Sequence, residues 1–596
     1  MKRAFVLAIV VAALAGAGWG VKAWVERPDP GKMSVFPGVR GPRARTSLET
    51  PPPTPLERFD VGGDHRLAIL VTDPASGWLG LVRGFRAQGV PITVTRNVDK
   101  ALTHRVVLVY PIISGRVLSS PQIRALAEHV RSGGTVVAFN LAGGGLDELF
   151  GLGPGRELAS RTHLRWTNLT GVAAEDQIVV SSAGEARISS VGYAPGSAKT
   201  LAVFDDGSVA AACRTVGGEA CVLGVDLGSL AQRAMNGRAG SLARTYVNGY
   251  DPSIDVLFRW LRDRYVAGEP QPWLIGTSPA GREVSILLTH DIDAQTAPAN
   301  ALAYAAALKQ RGLTGTFFVQ TKYMRDYNDV PFFNMATLPD IRRLVGEGMD
   351  VGSHTVAHSL AFDRMPLGTG DERYPGYRPF VVNDRTVRGA SVLGELRVSK
   401  FLLERLAGAR VVAFRPGRLS YPFSLPQALE GTGYSYSSSI TANTVLSHLP
   451  FQLTDGRADA ALQPLWEFPV TIEDEAPPRL GDRIDAADRV IGQIARVGGV
   501  VVILVHPNVT DHKLRFEEAI ADRWRGRAWI GSLSDFGAWW AARDGLDSDV
   551  VERNGRRVLE LRADREIHGL TIILPKSGRA LRLDLKPGQR AELDPA

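Results

Sequence analysis

The sequence has 596 residues, 44% hydrophobic and 22% charged, with a net charge of +7 and a pI near 9.4. That length exceeds one hydrophobic core and implies about three or four folded units, while the composition excludes a disordered or fibrous chain. The basic excess is scattered arginine without Lys/Arg blocks, zinc-finger spacing or an aromatic RNA-binding motif, which argues against nucleic acid as a partner.

Residues 1–25 read as a signal peptide or membrane anchor. Met1-Lys2-Arg3 precedes an apolar run over 4–21, the charged start and hydrophobic middle of an export signal. Ala15-Gly16-Ala17 suits a peptidase, whereas the run is close to a bilayer-spanning length. The expectation is an exported protein, periplasmic or at the cell surface, held in the inner membrane by residues 4–21. Residues 26–62 are rich in Pro, Gly and Arg, include Pro51-Pro52-Pro53 and show no sustained periodicity, so they read as a linker.

Over 63–268, apolar runs at 67–71, 92–95, 106–110 and 135–140 alternate with helical stretches at 79–88 and 121–131. This alternation predicts a parallel α/β sheet, and on that pattern the segment resembles flavodoxin-like or glutamine-amidotransferase-like domains. Gly143-Gly144-Gly145 follows the fourth run, where such folds often place a ligand, although a turn that needs glycine explains it more simply. No cysteine sits there to support amidotransferase chemistry. The only two cysteines, Cys213 and Cys221, flank Gly217-Gly218 in two short strand-like runs, which predicts a cross-strand disulfide.

Residues 269–545 hold seven short apolar runs, at 284–290, 315–320, 349–354, 411–415, 434–438, 465–470 and 500–505. Helical stretches separate most of them, including 298–311, 338–347, 392–406 and 486–496. A parallel barrel closes such repeated units. Residues 546–596 show alternating runs and an Asn554-Gly555 turn signal, predicting a small β-sandwich. The fold class is therefore multidomain α/β: a flavodoxin-like domain, a distorted seven-stranded (β/α) barrel and a β-sandwich.

Chemistry-bearing residues gather at the ends of the barrel runs. Asp291 and Asp293 close the first run; two apart on an extended chain, they point the same way, and converging carboxylates are costly unless they share a cation or a proton. His354 and His358 follow the third run, and one helical turn would bring both imidazoles to one face, where they suit a single metal ion. With 11 histidines in the chain, such spacing is weak evidence alone. Arg415 ends the fourth run and His506 follows the seventh, and in a parallel barrel all these positions open onto one face.

On these motifs the segment 269–545 resembles the polysaccharide deacetylase superfamily, also called the NodB homology domain or carbohydrate esterase family 4. Asp291 and Asp293 match the divergent Asp-x-Asp form of its first motif, His354 and His358 its His-x-x-x-His motif, Arg415 its Arg motif, and Leu504-Val505-His506 its final Leu-x-His motif. The 315–319 run resembles the family's second strand, and 466–469 its pocket motif more loosely. Tyr421 lies further from Arg415 than the family's tyrosine does.

The resemblance implies a divalent metal, zinc first with cobalt, nickel or manganese admitted, held by Asp293, His354 and His358. It further implies Asp291 as general base oriented by Arg415 and His506 as general acid, its partner among Glu473 and Asp474 left open. The implied substrate is an N-acetylated amino-sugar polysaccharide: an exopolysaccharide, a biofilm glycan or peptidoglycan. The alternatives are a catalytically inactive glycan-binding scaffold and a hydrolase of another amide or ester. Phe362, Tyr374, Tyr377 and Phe380, and separately Trp524 and Trp529, are candidate sugar-stacking aromatics.

Overall fold

The computed structural model describes residues 32–167, 177–180, 188–235, 248–250, 254–455 and 461–595. The expected export segment at 4–21 lies outside the described residues. No helix among the described residues is long and apolar enough to cross a membrane.

The first sheet is built on four parallel strands, β1 (Leu67–Val71), β2 (Ile92–Thr95), β3 (Val106–Tyr110) and β4 (Thr135–Ala138), in the order β2-β1-β3-β4. Every residue of these strands is buried, as strands covered on both faces require, and the covering helices include α1 (Trp78–Ala87), α2 (Ser120–Arg131) and α3 (Ile254–Gly268). Beyond β4 the sheet turns antiparallel through a hairpin of β5 (Val209–Val216) and β6 (Gly218–Leu223). In its register Cys213 faces Cys221, and the two are disulfide-bonded. Gly143, Gly144 and Gly145 all have positive φ, at 103°, 94° and 73°, so this run is a turn that only glycine takes without strain.

The second sheet carries β7 (Val284–Ile292), β8 (Thr316–Val319), β9 (Asp350–Ser353), β10 (Ala413–Phe414), β11 (Tyr436–Ser437), β12 (Phe451–Asp455), β13 (Ala461–Glu467), β14 (Val470–Ile472), β15 (Val500–Val505) and β16 (Ala528–Gly531). Its order is β12-β13-β11-β10-β9-β8-β7-β15-β14, with β16 also paired to β7. All pairs are parallel except β12–β13. The sheet curls as a half-barrel and does not close through a continuous ladder. Where the sequence predicts one sixth strand there are two, because Pro469 has no N–H for the ladder and breaks the run after Glu467. Helices α4 (Ala297–Gln310), α5 (Leu338–Gly346), α6 (Val392–Leu402), α7 (Ile484–Ala495), α8 (His512–Trp524) and α9 (Leu533–Asp544) connect the strands.

The Pro-rich stretch read as a linker is, from residue 32 onward, laid along this half-barrel. Met33 bridges to Met324 and Gly41 to Tyr374. Phe36 is buried between Phe333 and Tyr374, and its amide donates to the Tyr374 hydroxyl at 2.8 Å. Arg397 on α6 donates to the Ala44 carbonyl at 2.6 Å. Phe36, and further along the stretch Leu56 and Phe59, bury their side chains, while free backbone groups pair with loop edges.

The tail forms two small antiparallel sheets. One joins β17 (Asp547–Arg553), β18 (Arg556–Arg562) and β21 (Arg590–Leu593); the other joins β19 (Ile567–Leu574) and β20 (Arg579–Leu585) to the short strand Leu274–Ile275. Trp273, Trp540, Leu561 and Leu570 are buried in one cluster, so the tail shares its core with the segment before β7 and with α9.

Candidate active site

The candidate residues meet at the C-terminal ends of the half-barrel strands. β7 is buried along its whole length and delivers Asp291 and, just past its end, Asp293. Asp291 accepts a hydrogen bond from Arg415 Nη1 at 2.8 Å. Arg415, fully buried after β10, also donates through Nε to the Ser438 carbonyl at 3.1 Å and through Nη2 to the Ser438 hydroxyl at 2.8 Å. Its guanidinium lies over the Phe318 ring at 4.5 Å. Burial pushes the Asp291 carboxyl up, but Arg415, His354 and His506 outweigh burial and hold it below the usual range. An ionised carboxylate at 291 is thus built into the fold.

The His354 to His358 segment is not the helical turn that the spacing predicts. Thr355 and His358 have left-handed backbones, with φ of 66° and 53°, and the segment is an irregular bend after β9. The cause is Glu395, buried on α6. Its carboxylate accepts the amides of Val356 at 2.8 Å and Ala357 at 2.7 Å, and the Tyr377 hydroxyl donates to its other oxygen at 2.7 Å. These charge-assisted bonds favour the bend over a helical turn, which would need residues 355 and 358 in the right-handed region. The two imidazoles nevertheless meet, with ring centroids 5.0 Å apart.

His354 Nδ1 donates to the Arg415 carbonyl at 2.9 Å, which leaves the Nε2 lone pair facing the site, buried and without a hydrogen-bond partner. Burial, together with neighbouring His354 and Arg418, holds the His358 imidazole well below its ordinary pKa and therefore neutral. Asp293 Oδ2 lies 3.4 Å from His358 Nε2 and 3.5 Å from His506 Nε2. Ligand atoms of Asp293, His354 and His358 all fall within 4.8 Å of one another. Burial lifts the Asp293 carboxyl above its usual value, a charge cost that a cation would relieve. An orphaned buried nitrogen, a second neutral imidazole and a desolvated carboxylate are a donor set that fits a divalent metal.

His506 follows β15, and its partner is Asp474. Asp474 accepts from His506 Nδ1 at 2.7 Å and from the His506 amide at 2.7 Å, and Lys513 of α8 reaches its Oδ2 at 2.6 Å. Burial acts to lower the His506 pKa, but the charge and hydrogen bond of Asp474, joined by Asp293 and Asp291, hold it up at about 10. Burial likewise opposes ionisation of Asp474, yet His506 and Lys513 hold that carboxyl down at about 2. Glu473, the other candidate partner, instead accepts from Asn248 at 2.7 Å and from the amides of Glu475 and Ala476.

Several aromatics expected at a sugar-binding rim are packing residues. Phe362 and Tyr374 are buried, and Tyr377 holds Glu395. Trp524 is buried with its indole donating to Asp488 at 2.9 Å, and Trp529 packs on Phe536. Tyr421 is buried beside Glu467 and Arg83. Phe380 and Trp529 stay partly exposed, and Phe380 packs edge-on against Tyr327. Tyr327 and Phe423, both strongly exposed on loops after β8 and β10, carry the open aromatic surface that the sequence reading did not single out. Glu395 and Lys513 also escaped it. The one signal for Glu395 was an acid set among Val392, Leu393 and Leu396.

Against known proteins, the family model for polysaccharide deacetylase matches residues 279–437, which include Asp291, Asp293, His354, His358 and Arg415; Asp474 and His506 lie beyond the match. No curated protein matches the chain. Among solved structures, a protein from Mycobacterium smegmatis described as a polysaccharide deacetylase is 18% identical, with 44% of this chain and 93% of that one covered and a TM-score of 0.31. The chitin deacetylase of the fungal pathogen Colletotrichum lindemuthianum is 17% identical over 44% and 89% of the two chains, with a TM-score of 0.25. A Streptococcus mutans carbohydrate esterase family 4 esterase is 15% identical over 42% and 85%, with a TM-score of 0.26. Residues 279–437 of this chain are thus similar to the polysaccharide deacetylase family.

Proposed function

We propose that this protein is a metal-dependent hydrolase that removes N-acetyl groups from an amino-sugar polysaccharide. The observation that carries the reading is the side-by-side placement of an ionised Asp291, the Asp293, His354 and His358 donor set, and a protonated His506. A divalent ion held by Asp293, His354 and His358, zinc by this donor chemistry, would polarise the acetamide carbonyl and acidify the attacking water.

The remaining chemistry belongs to the chain. Asp291, kept anionic and oriented by Arg415, takes the proton of the attacking water. His506 gives its Nε2 proton to the departing amine as the C–N bond breaks, and Asp474 stays ionised against the ring's other nitrogen. Asp291 lies beside His354 and Arg415 and His506 beside Asp293, so base and acid adjoin different members of the donor set. Export belongs to the same proposal, supported by the apolar run at 4–21 and by the Cys213–Cys221 disulfide, a bond that suits an oxidising compartment.

The test is a comparison of substrates. The full chain, loaded with zinc, is offered N-acetylated oligosaccharides, small N-acetyl amides and acetyl esters, and acetate is measured. Release confined to the glycans supports the proposal. Release only from the small amides or esters assigns the same site to a different reaction.

A further inference from the structure

One cation at the mouth of the site has no part in the chemistry above. Gly417 lies directly against His358: a Cβ there would meet the imidazole Cδ2 at 2.5 Å and the His358 Cα at 2.7 Å. The next residue, Arg418, is therefore carried past the ring of a candidate metal ligand. Its backbone is left-handed, with φ of 61°, and so is that of Leu419, with φ of 46°. Residues with side chains take this conformation rarely, and such outliers gather at ligand-binding loops.

The side chain of Arg418 is exposed and makes no ion pair among the described residues. The neighbouring cations are committed: Arg415 to Asp291 and Ser438, Lys322 to Asp326, Lys513 to Asp474. The charge of Arg418 still reaches the site, since it acts on both His358 and Asp329. An uncommitted guanidinium beside the reacting centre offers a planar fork that matches a carboxylate. The net charge of +7 also favours approach of an acidic polymer.

Resting on the deacetylase reading, we propose that Arg418 is a specificity residue that binds the carboxylate of an acidic sugar next to the acetamide, so that the substrate is an anionic N-acetylated glycan. Two chemical sources supply such a group, a uronic acid and a lactyl ether, and the test separates them.

Acetate release by the zinc-loaded full chain is measured on three substrates: a neutral N-acetylglucosamine oligomer, an oligomer alternating N-acetylglucosamine with glucuronic acid, and a glycan strand carrying lactyl ethers. The wild type should prefer one of the acidic substrates. Arg418→Gln should lower kcat/KM on that substrate by roughly 10- to 100-fold, mainly through KM, as expected for loss of one charged hydrogen-bonding pair, and lower it far less on the neutral oligomer. Arg418→Lys should restore part of the loss. Arg418→Asn, which tolerates a left-handed backbone, should behave like the Gln variant, separating the charge from the loop conformation. Equal losses on neutral and acidic substrates, or a wild type indifferent to the carboxylate, overturn the inference and leave the deacetylase reading intact. No acetate from any of the three overturns both.

Discussion

Asp291 and Asp293 are two residues apart at the end of one strand, yet their surroundings drive them apart chemically. Arg415 stabilises the charge on the first, while burial lifts the second. The sequence shows both carboxylates and the reason they converge, but not which one the arginine reaches, because that depends on how β10 stands beside β9 and β7. The same holds for His506. Its position after an apolar run is visible in the chain, whereas Asp474 had to be chosen from two adjacent acids, and only the bonds from Nδ1 and the amide decide it. Replacing Asp474 with Asn should remove the charge that keeps His506 protonated, and kcat should fall roughly 10- to 100-fold with little change in KM. Steady-state kinetics on an N-acetylated oligosaccharide checks this; an unaltered kcat would remove His506 from the role of acid.

The strands of the half-barrel were readable because parallel strands covered on both faces appear as unbroken apolar runs. The sixth run carried its own warning in Pro469, which splits it into β13 and β14. The bend after β9 was not readable from its own residues. Spacing brings His354 and His358 to one place, but the conformation is imposed by Glu395, 37 residues beyond His358 on α6, through the amides of Val356 and Ala357. Glu395→Gln should keep the helix and weaken the anchor, lowering zinc affinity roughly 10- to 100-fold, as supporting residues of metal sites do. Competition with a chelator of known affinity measures it. Wild-type affinity in this variant would show that the bend holds without the carboxylate.

The parts of the chain are less separate than their sequence boundaries imply. Phe85 and Leu257 of the first segment lie in one apolar cluster with Leu453 and Ile494 of the half-barrel, and the tail borrows Leu274 and Ile275 for a sheet. The stretch from residue 32 leaves no periodic sequence signature because it binds through its backbone and through isolated buried side chains, Phe36, Leu56 and Phe59. Behind the site, Glu467 accepts the amides of Ser439 and Ile440, and burial pushes its carboxyl up to about 7. Its folded pKa stands above the unfolded value near 4.5, so its stabilising proton is fully present below about pH 4.5 and lost as pH rises through about 7. Asp255, lifted by burial to about 6, acts in the same direction. The wild type should therefore lose thermal stability from pH 5 to 7.5 relative to Glu467→Gln, by on the order of a few kcal/mol. Parallel melting curves for the two proteins would count against a protonated Glu467.

All of these contacts converge on one claim, that Asp293, His354 and His358 hold a metal on which deacetylation depends. The direct measurement is acetate release from an N-acetylated oligosaccharide by the zinc-loaded protein, the chelator-stripped protein and His354→Ala, with bound zinc quantified in each. The account predicts one zinc and steady acetate release for the loaded wild type, and loss of both in the other two. Acetate released at the wild-type rate by stripped protein or by His354→Ala would contradict it.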